Sequence, residues 1–401
     1  MMTDASSAPK APRPPTWLLV ALTAFGPMSI DMYLPSLPDM TRQFHADISE
    51  VQLTLSVFVA GFAVAQLVYG PLSDRYGRRP VLMGGVLLYT LASIVCLMAG
   101  SIESLIAARF LQALGACAGP VLGRAILRDT FPREEAAKVM STLASVMALA
   151  PAVAPMIGGR LHSWFGWQAT FVLLTVFGAA MLYSGWKVLS ETNMYPNLRA
   201  LHPLDMVENY MTLLRDRVFL GYSLTISLTF CGMFAFISGA SFVIIDVLGV
   251  RAENFGFCFT VVIVGFMSGS ILSSKLTQKL GLERMVVLGT FLGVAAGIAM
   301  LGLALAGVQT IAAVIVPMAF VSCSGGLTLP NSTAAAIAPH PRIAGSASAL
   351  LGFMQMGGAS LAGLAVGHLL NGTTLPMAAV ICVCLLLAAM ARWLLIGRQT
   401  S

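Results

Sequence analysis

The chain has 401 residues, 57% apolar and 10% charged, with a formal net charge of +6, and its mean hydropathy is +0.85. Soluble domains carry roughly 25% charged residues, so this composition excludes a water-soluble globular surface and requires most of the surface to face hydrocarbon. The basic residues lie in loops, where they are a topology signal and not a nucleic-acid patch.

In chain order, residues 1–16, with Pro12, Pro14 and Pro15, read as a short cytoplasmic tail. The first apolar run, 17–38, passes through Asp31, Tyr33 and Pro35 without a small-residue cleavage site; it reads as a retained helix and not a signal peptide. Runs of spanning length follow at 51–73, 80–100, 104–125, 138–160 and 166–189, then at 218–242, 254–276, 285–306, 309–330, 343–370 and 374–396. Each is near the ~20 residues that cross ~30 Å of hydrocarbon. The expected fold is an all-α membrane protein of twelve transmembrane helices in two pseudo-symmetric six-helix halves, 17–189 and 218–396. A polar central linker at 190–217 separates them, and 397–401 forms a second short tail.

Cytoplasmic loops retain Lys and Arg. With both termini inside, only Arg42, Arg160 and Arg251 fall outside and Arg109 lies within a span; the other basic residues, Lys10, Arg199 and Arg398 among them, are cytoplasmic. Trp17, Trp164, Trp167, Trp186 and Trp393 all fall at span ends, where an indole meets the headgroup layer. The seven cysteines lie inside spans and read as small packing residues. Cys382 and Cys384 lack partners for a metal site, and neither His340 nor His368 looks like a ligand. No metal and no cofactor is expected.

An internal repeat supports the division into halves. Ser73-Asp74-Arg75-Tyr76-Gly77-Arg78-Arg79 follows the second span and Thr277-Gln278-Lys279-Leu280-Gly281-Leu282-Glu283-Arg284 the eighth; their glycines are 204 residues apart. Two related halves are the pattern of a carrier that rocks around a midplane site. The fifth span holds Ala148, Pro151, Pro155, Gly158 and Gly159: two prolines remove helical hydrogen bonds, and small residues let a neighbour approach. That run, and the eleventh span with Gly352, Gly357, Gly358 and Gly363, read either as tight packing or as a moving seam.

Residues Gly70-Pro71-Leu72-Ser73-Asp74-Arg75-Tyr76-Gly77-Arg78-Arg79-Pro80 closely resemble the loop between the second and third helices of the major facilitator superfamily. Arg109-Phe110-Leu111-Gln112-Ala113-Leu114-Gly115 resembles that superfamily's second motif, and the fifth-span run resembles the motif of its drug:proton antiporters. Ser29-Ile30-Asp31-Met32-Tyr33-Leu34-Pro35 resembles the first helix of the Bcr/CflA branch, which exports bicyclomycin, phenicols and similar drugs. The departures are Gln278 in the second-half loop and Ala148 in the fifth span. The resemblance implies a bacterial inner-membrane protein powered by the proton gradient. It also implies that Gly70, Asp74, Arg75, Gly77 and Arg78, with Arg128 and Asp129 as partners, form a gate whose lock breaks when the carrier opens inward. Pro151, Pro155, Gly158 and Gly159 are the candidates for its moving seam, with tight packing as the other reading.

Asp31 and Arg109 are the ionisable residues well inside the spans. Each costs about 2.5 to 3.5 kcal/mol at mid-helix. Both lie at matching depth, so the expectation is that they approach one another or share a ligand. Asp31 is the candidate proton carrier and Arg109 its modulator, because a carboxyl that moves between wet and buried settings loads and releases a proton. Gln112, one turn from Arg109, is a candidate to orient it or touch substrate. Tyr33, Phe230, Met233, Phe234, Phe236, Phe353, Gln355 and Met356 complete the candidate substrate lining. The expected function is proton-coupled export of small amphiphilic drug-like molecules by a monomer in the lipid bilayer. The alternative is a proton-coupled exporter of a specific metabolite or sugar on the same fold. No His-Glu-x-x-His, nucleophile elbow or phosphate loop argues for an enzyme or an ATP-driven pump.

Overall fold

The computed structural model describes residues 13–194, 197 and 201–397. Lys10 and the tail to residue 12, Arg199, and Arg398 with the last residues lie outside the described residues.

Proline places the breaks in the first span. It comprises α1 (Thr16–Thr23), α2 (Phe25–Asp31), a 3-10 turn at Leu34–Ser36, and α3 (Leu37–Phe44). A helical carbonyl needs the N–H four residues on. For Thr23 that residue is Pro27 and for Asp31 it is Pro35, and neither has an N–H to give. The helix therefore stops after each, and Asp31 becomes the last residue of α2.

The remaining spans are long. α4 (Ile48–Tyr76) starts with a capping box in which the Asp47 N–H donates to Glu50 Oε2 at 2.9 Å. Then come α5 (Arg78–Leu97), α6 (Ile102–Thr130), α7 (Arg133–Phe165) and α8 (Gln168–Val188). The linker contains α9 (Pro203–Arg215), a helix whose charges, Asp205, Glu208 and Arg215, mark the stretch in sequence only as a polar interruption. The second half comprises α10 (Arg217–Ser241) with a π-helical end at Phe242–Val247, α11 (Phe255–Leu280), α12 (Leu282–Leu305), α13 (Ile311–Ile337), α14 (Ala344–Leu369) and α15 (Leu375–Leu395). Among the described residues twelve helical segments are long and apolar enough to cross a membrane, and no strand occurs. Several helices run past the expected ends; α6 continues to Thr130 and α7 begins at Arg133.

The repeat is visible in the backbone. Gly77 (φ +99°) and Gly281 (φ +83°) make the same left-handed turn after α4 and α11, a conformation open mainly to glycine. Beside the second-half turn Thr277 Oγ1 donates to Asn331 Oδ1 at 3.0 Å and Asn331 Nδ2 to Ser273 Oγ at 2.7 Å, and Glu283 pairs with Arg392 at 3.6 Å.

The halves meet along α4 with α14 and α7 with α11. α4 and α14 stay close as far as Gln66 and Gly352, where a Cβ on the glycine would overlap the amide, whereas the cross-half hydrogen bonds lie toward the end of the bundle distal to the termini. Gln52 Nε2 donates to the Ser238 carbonyl and Ser238 Oγ to Gln52 Oε1, both at 3.0 Å, while Ser360 Oγ donates to the Ser56 carbonyl at 2.7 Å. Gly159 lies against the Ala252 carbonyl, and Gly256 against Met156. Toward the terminal end, Gly70 of α4 and Gly345 of α14 have open space beside them, and Met140 and Met147 of α7 are exposed.

Four of the five tryptophans sit exposed at span ends. Trp167 is the exception: it is buried, and its Nε1 donates to Gln43 Oε1 at 2.5 Å. Its N–H is satisfied by protein, so it anchors α8 to α3 and not to the headgroup layer.

Candidate functional site

Arg109, on α6, is the largest fully buried side chain, at 0% exposure. One Nη donates to Gln112 Oε1 at 2.7 Å and the other to the Ser29 carbonyl at 3.0 Å. Its guanidinium lies over the rings of Phe58 (4.2 Å to the centroid), Tyr33 (4.8 Å) and Phe171 (6.0 Å). Ser29 is in the last turn of α2, where helical carbonyls lack intrahelical donors and the helix dipole is negative. The proline break therefore creates the acceptor that the cation uses. Aromatic faces supply the rest of its compensation, and Nε has no partner.

A polar network fixes this arrangement. Gln112 Nε2 donates to Ser93 Oγ at 2.8 Å, and Ser93 Oγ donates to the Tyr89 carbonyl at 2.7 Å. Tyr89 Oη and Ser29 Oγ are 2.8 Å apart, and Tyr33 Oη and Thr54 Oγ1 2.9 Å apart. The expected orienting contact from Gln112 is present. Tyr33 is spent on the same cage, buried beside Phe171.

The spacing allowed an ion pair between Asp31 and Arg109, and the structure does not form one. Among the described residues no ion pair or hydrogen bond uses the Asp31 side chain, although it is only 3% exposed. Arg109 reaches the first span two residues earlier, at the Ser29 carbonyl, which leaves the carboxyl unpaired at the end of α2. α7 closes on this point: a Cβ on Gly158 would overlap the Met32 carbonyl. Only glycine permits that approach.

The other lining candidates separate into two groups. Phe230, Met233, Phe353, Gln355 and Met356 are partly exposed, and Phe230 and Met233 are one helical turn apart on α10. Phe236 is fully buried and packs on Phe259 at 5.4 Å, and Phe234 is buried under Phe230 at 6.4 Å. These two are core residues of the second half in this conformation. Residues the sequence did not single out, Phe58, Ser93, Tyr89 and Phe171, complete the Arg109 cage; they carried no signal because small hydroxyls and single aromatics are ordinary in spans.

At the terminal end, Arg78 Nη1 pairs with Asp74 at 2.5 Å and Nε with Asp129 at 3.0 Å, and Nη1 also donates to Ser73 Oγ at 2.6 Å. Asp129 is thus the partner expected of it. Arg128 is exposed and makes no ion pair among the described residues, and Arg75 lies over the ring of Tyr76 at 5.2 Å. The triad lies wholly within the first half. Glu191, just beyond α8, falls in the polar linker by sequence. Its carboxylate accepts from the backbone N–H groups of Arg78 (2.8 Å), Arg79 (3.1 Å), Thr192 (2.9 Å) and Asn193 (2.8 Å). It caps α5 as an anion at a helix N-terminus.

The comparisons with known proteins bear on this geometry. Residues 19–363 match the Major Facilitator Superfamily. The bicyclomycin resistance protein homolog of Haemophilus influenzae is 31% identical over 380 residues, covering 94% of this chain and 95% of the relative. The chloramphenicol resistance protein of Pseudomonas aeruginosa is 28% identical, covering 92% of this chain and 87% of the relative. Among solved structures, the xylose transporter of E. coli in a partially occluded inward open conformation superposes with a TM-score of 0.71 at 12% identity, over 95% of this chain and 97% of that one. The chain belongs to the Major Facilitator Superfamily of transporters, within its Bcr/CflA branch.

Proposed function

We propose that the chain exports small amphiphilic, drug-like molecules in exchange for protons, with its termini and the Asp74 turn in the cytoplasm. The observation that carries the reading is Asp31: a carboxyl with no ion-pair partner, set where the first span is broken by proline. Irregular backbone at membrane depth is tolerated where it lines a cavity, and broken helices build the central sites of carriers. A lone carboxyl there is a site where one proton can be bound and released.

Arg109 is the positioning residue. It ties the end of α2 to α6 and, through Gln112 and Ser93, to α5, so that a shift of the first span is felt by the whole half. Phe230, Met233, Phe353, Gln355 and Met356 offer adaptable apolar contact with a single amide, which suits ligands of varied shape. The names of the relatives, resistance proteins toward bicyclomycin and chloramphenicol, support the same substrate class.

The test is uptake into everted vesicles with an acid interior, using bicyclomycin, a phenicol and a cationic dye. The expected result is gradient-driven uptake of at least one compound, abolished by a protonophore. No gradient-dependent uptake of any, with the protein present in the membrane, overturns the drug assignment and leaves a narrow metabolite exporter as the leading reading.

A further inference from the structure

We infer that a recess between the terminal ends of α5 and α8 binds the phosphodiester of an anionic phospholipid. The recess is about 640 Å³, open to the surface, and lined by residues including Arg79, Trp186, Lys187, Ser190 and Glu191. It lies outside the central space and contributes nothing to the proposed transport site.

Its electrostatics favour an anion. Arg79 is held by one Nη donating to the Trp186 carbonyl at 3.0 Å, and its Nε is buried with no acceptor. Its other Nη makes no hydrogen bond among the described residues and, unlike Nε, is not closed off, so it is the donor open to a ligand oxygen. The Lys187 ammonium stands 4.8 Å from the centroid of Tyr183 and makes no ion pair among the described residues. The one carboxylate lining the recess, Glu191, already accepts from four backbone N–H groups, so it does not take either cation. Arg79 also lies in the first turn of α5, where the helix dipole is positive.

Continuity with the hydrocarbon-facing surface makes the ligand a lipid. Trp186 is exposed at the end of α8, as a side chain at the headgroup layer is. Beyond it Leu87 and Leu91 of α5 and Val176 and Tyr183 of α8 are exposed apolar or aromatic residues. Leu87 lies eight residues after Arg79, about 12 Å along the helix. A phosphodiester held by Arg79 and Lys187 would lay its acyl chains on these side chains. Arginine matches the paired oxygens of such a group.

The experiment is native mass spectrometry of the purified full chain equilibrated with equal amounts of phosphatidylglycerol and phosphatidylcholine. The wild type is expected to retain phosphatidylglycerol preferentially. Arg79→Gln and Lys187→Gln should each weaken its retention about fivefold, the effect of one cation near a lipid surface. Arg215→Gln, a charge change at the same end but outside the recess, should leave it unchanged. Lys187→Gln keeps the test decisive if Arg79→Gln misfolds, because Lys187 donates no hydrogen bond to the fold. Unaltered retention in Lys187→Gln, or an equal loss in Arg215→Gln, overturns the site. Inorganic phosphate at ~10 mM should not displace the lipid; if it does, the recess takes a free anion and the lipid assignment fails.

Discussion

Arg109 donates to the carbonyl of Ser29 at 3.0 Å, two residues before the carboxyl of Asp31, and so the buried cation is balanced by a helix end and not by the buried acid. Arg109→Lys keeps the charge but cannot reach Ser29 and Gln112 together. A buried polar partner left unsatisfied costs about 1–3 kcal/mol. The variant is expected to melt at lower temperature in detergent, with Gln112→Ala lowering it similarly and the double variant less than additively. Additive losses would show that the two residues act apart.

Asp31 leads to a different expectation, because no partner depends on it. Asp31→Asn should fold with near wild-type thermal stability and still exchange labelled substrate across vesicles without a gradient. Proton-driven export should fall at least tenfold, the order expected when a proton-transferring group is removed. Wild-type export with unchanged pH dependence would return Asp31 to a structural role.

The distal clasp is neutral, so its strength should not follow salt. Gln52 and Ser238 exchange two hydrogen bonds across the halves, and burial makes each worth about 0.5–1.5 kcal/mol. Gln52→Ala is expected to shift the carrier toward a conformation open at the distal end. Spin labels at Asp47 and Asn371 should report a longer mean distance in the variant, at low and high ionic strength alike. An unchanged distance distribution would refute the clasp.

Glu191 predicts an effect far from any substrate. Glu191→Ala removes the acceptor of four N–H groups at the start of α5 and the segment after α8. The expected loss is about 1–2 kcal/mol, the upper range for charge at a partly buried helix terminus, read as a lowered melting temperature. Substrate affinity in equilibrium binding should stay within twofold. Gly77→Ala should be worse, since it adds a strained φ of +99° to a Cβ that meets the Glu191 carboxylate.

The sequence by itself determined the solvent, the number of spans, the repeat and the family, because each rests on local quantities: run length, apolar fraction, and glycine and proline at fixed spacing. The run 17–38 reads as one retained helix in sequence, and the structure shows that Pro27 and Pro35, which lack N–H groups, break it. Tertiary structure alone decided which groups meet. Arg109 could be placed at the depth of Asp31 from helix rise, but its choice of the Ser29 carbonyl follows from how α6 docks on the broken helix. Phe234 and Phe236 look like Phe230 in composition, and only helix rotation turned them into the core. Glu191 read as linker charge because its four donors come from two segments, one of them more than a hundred residues away. Local pattern fixes what a residue can do; long-range packing selects which partner it has.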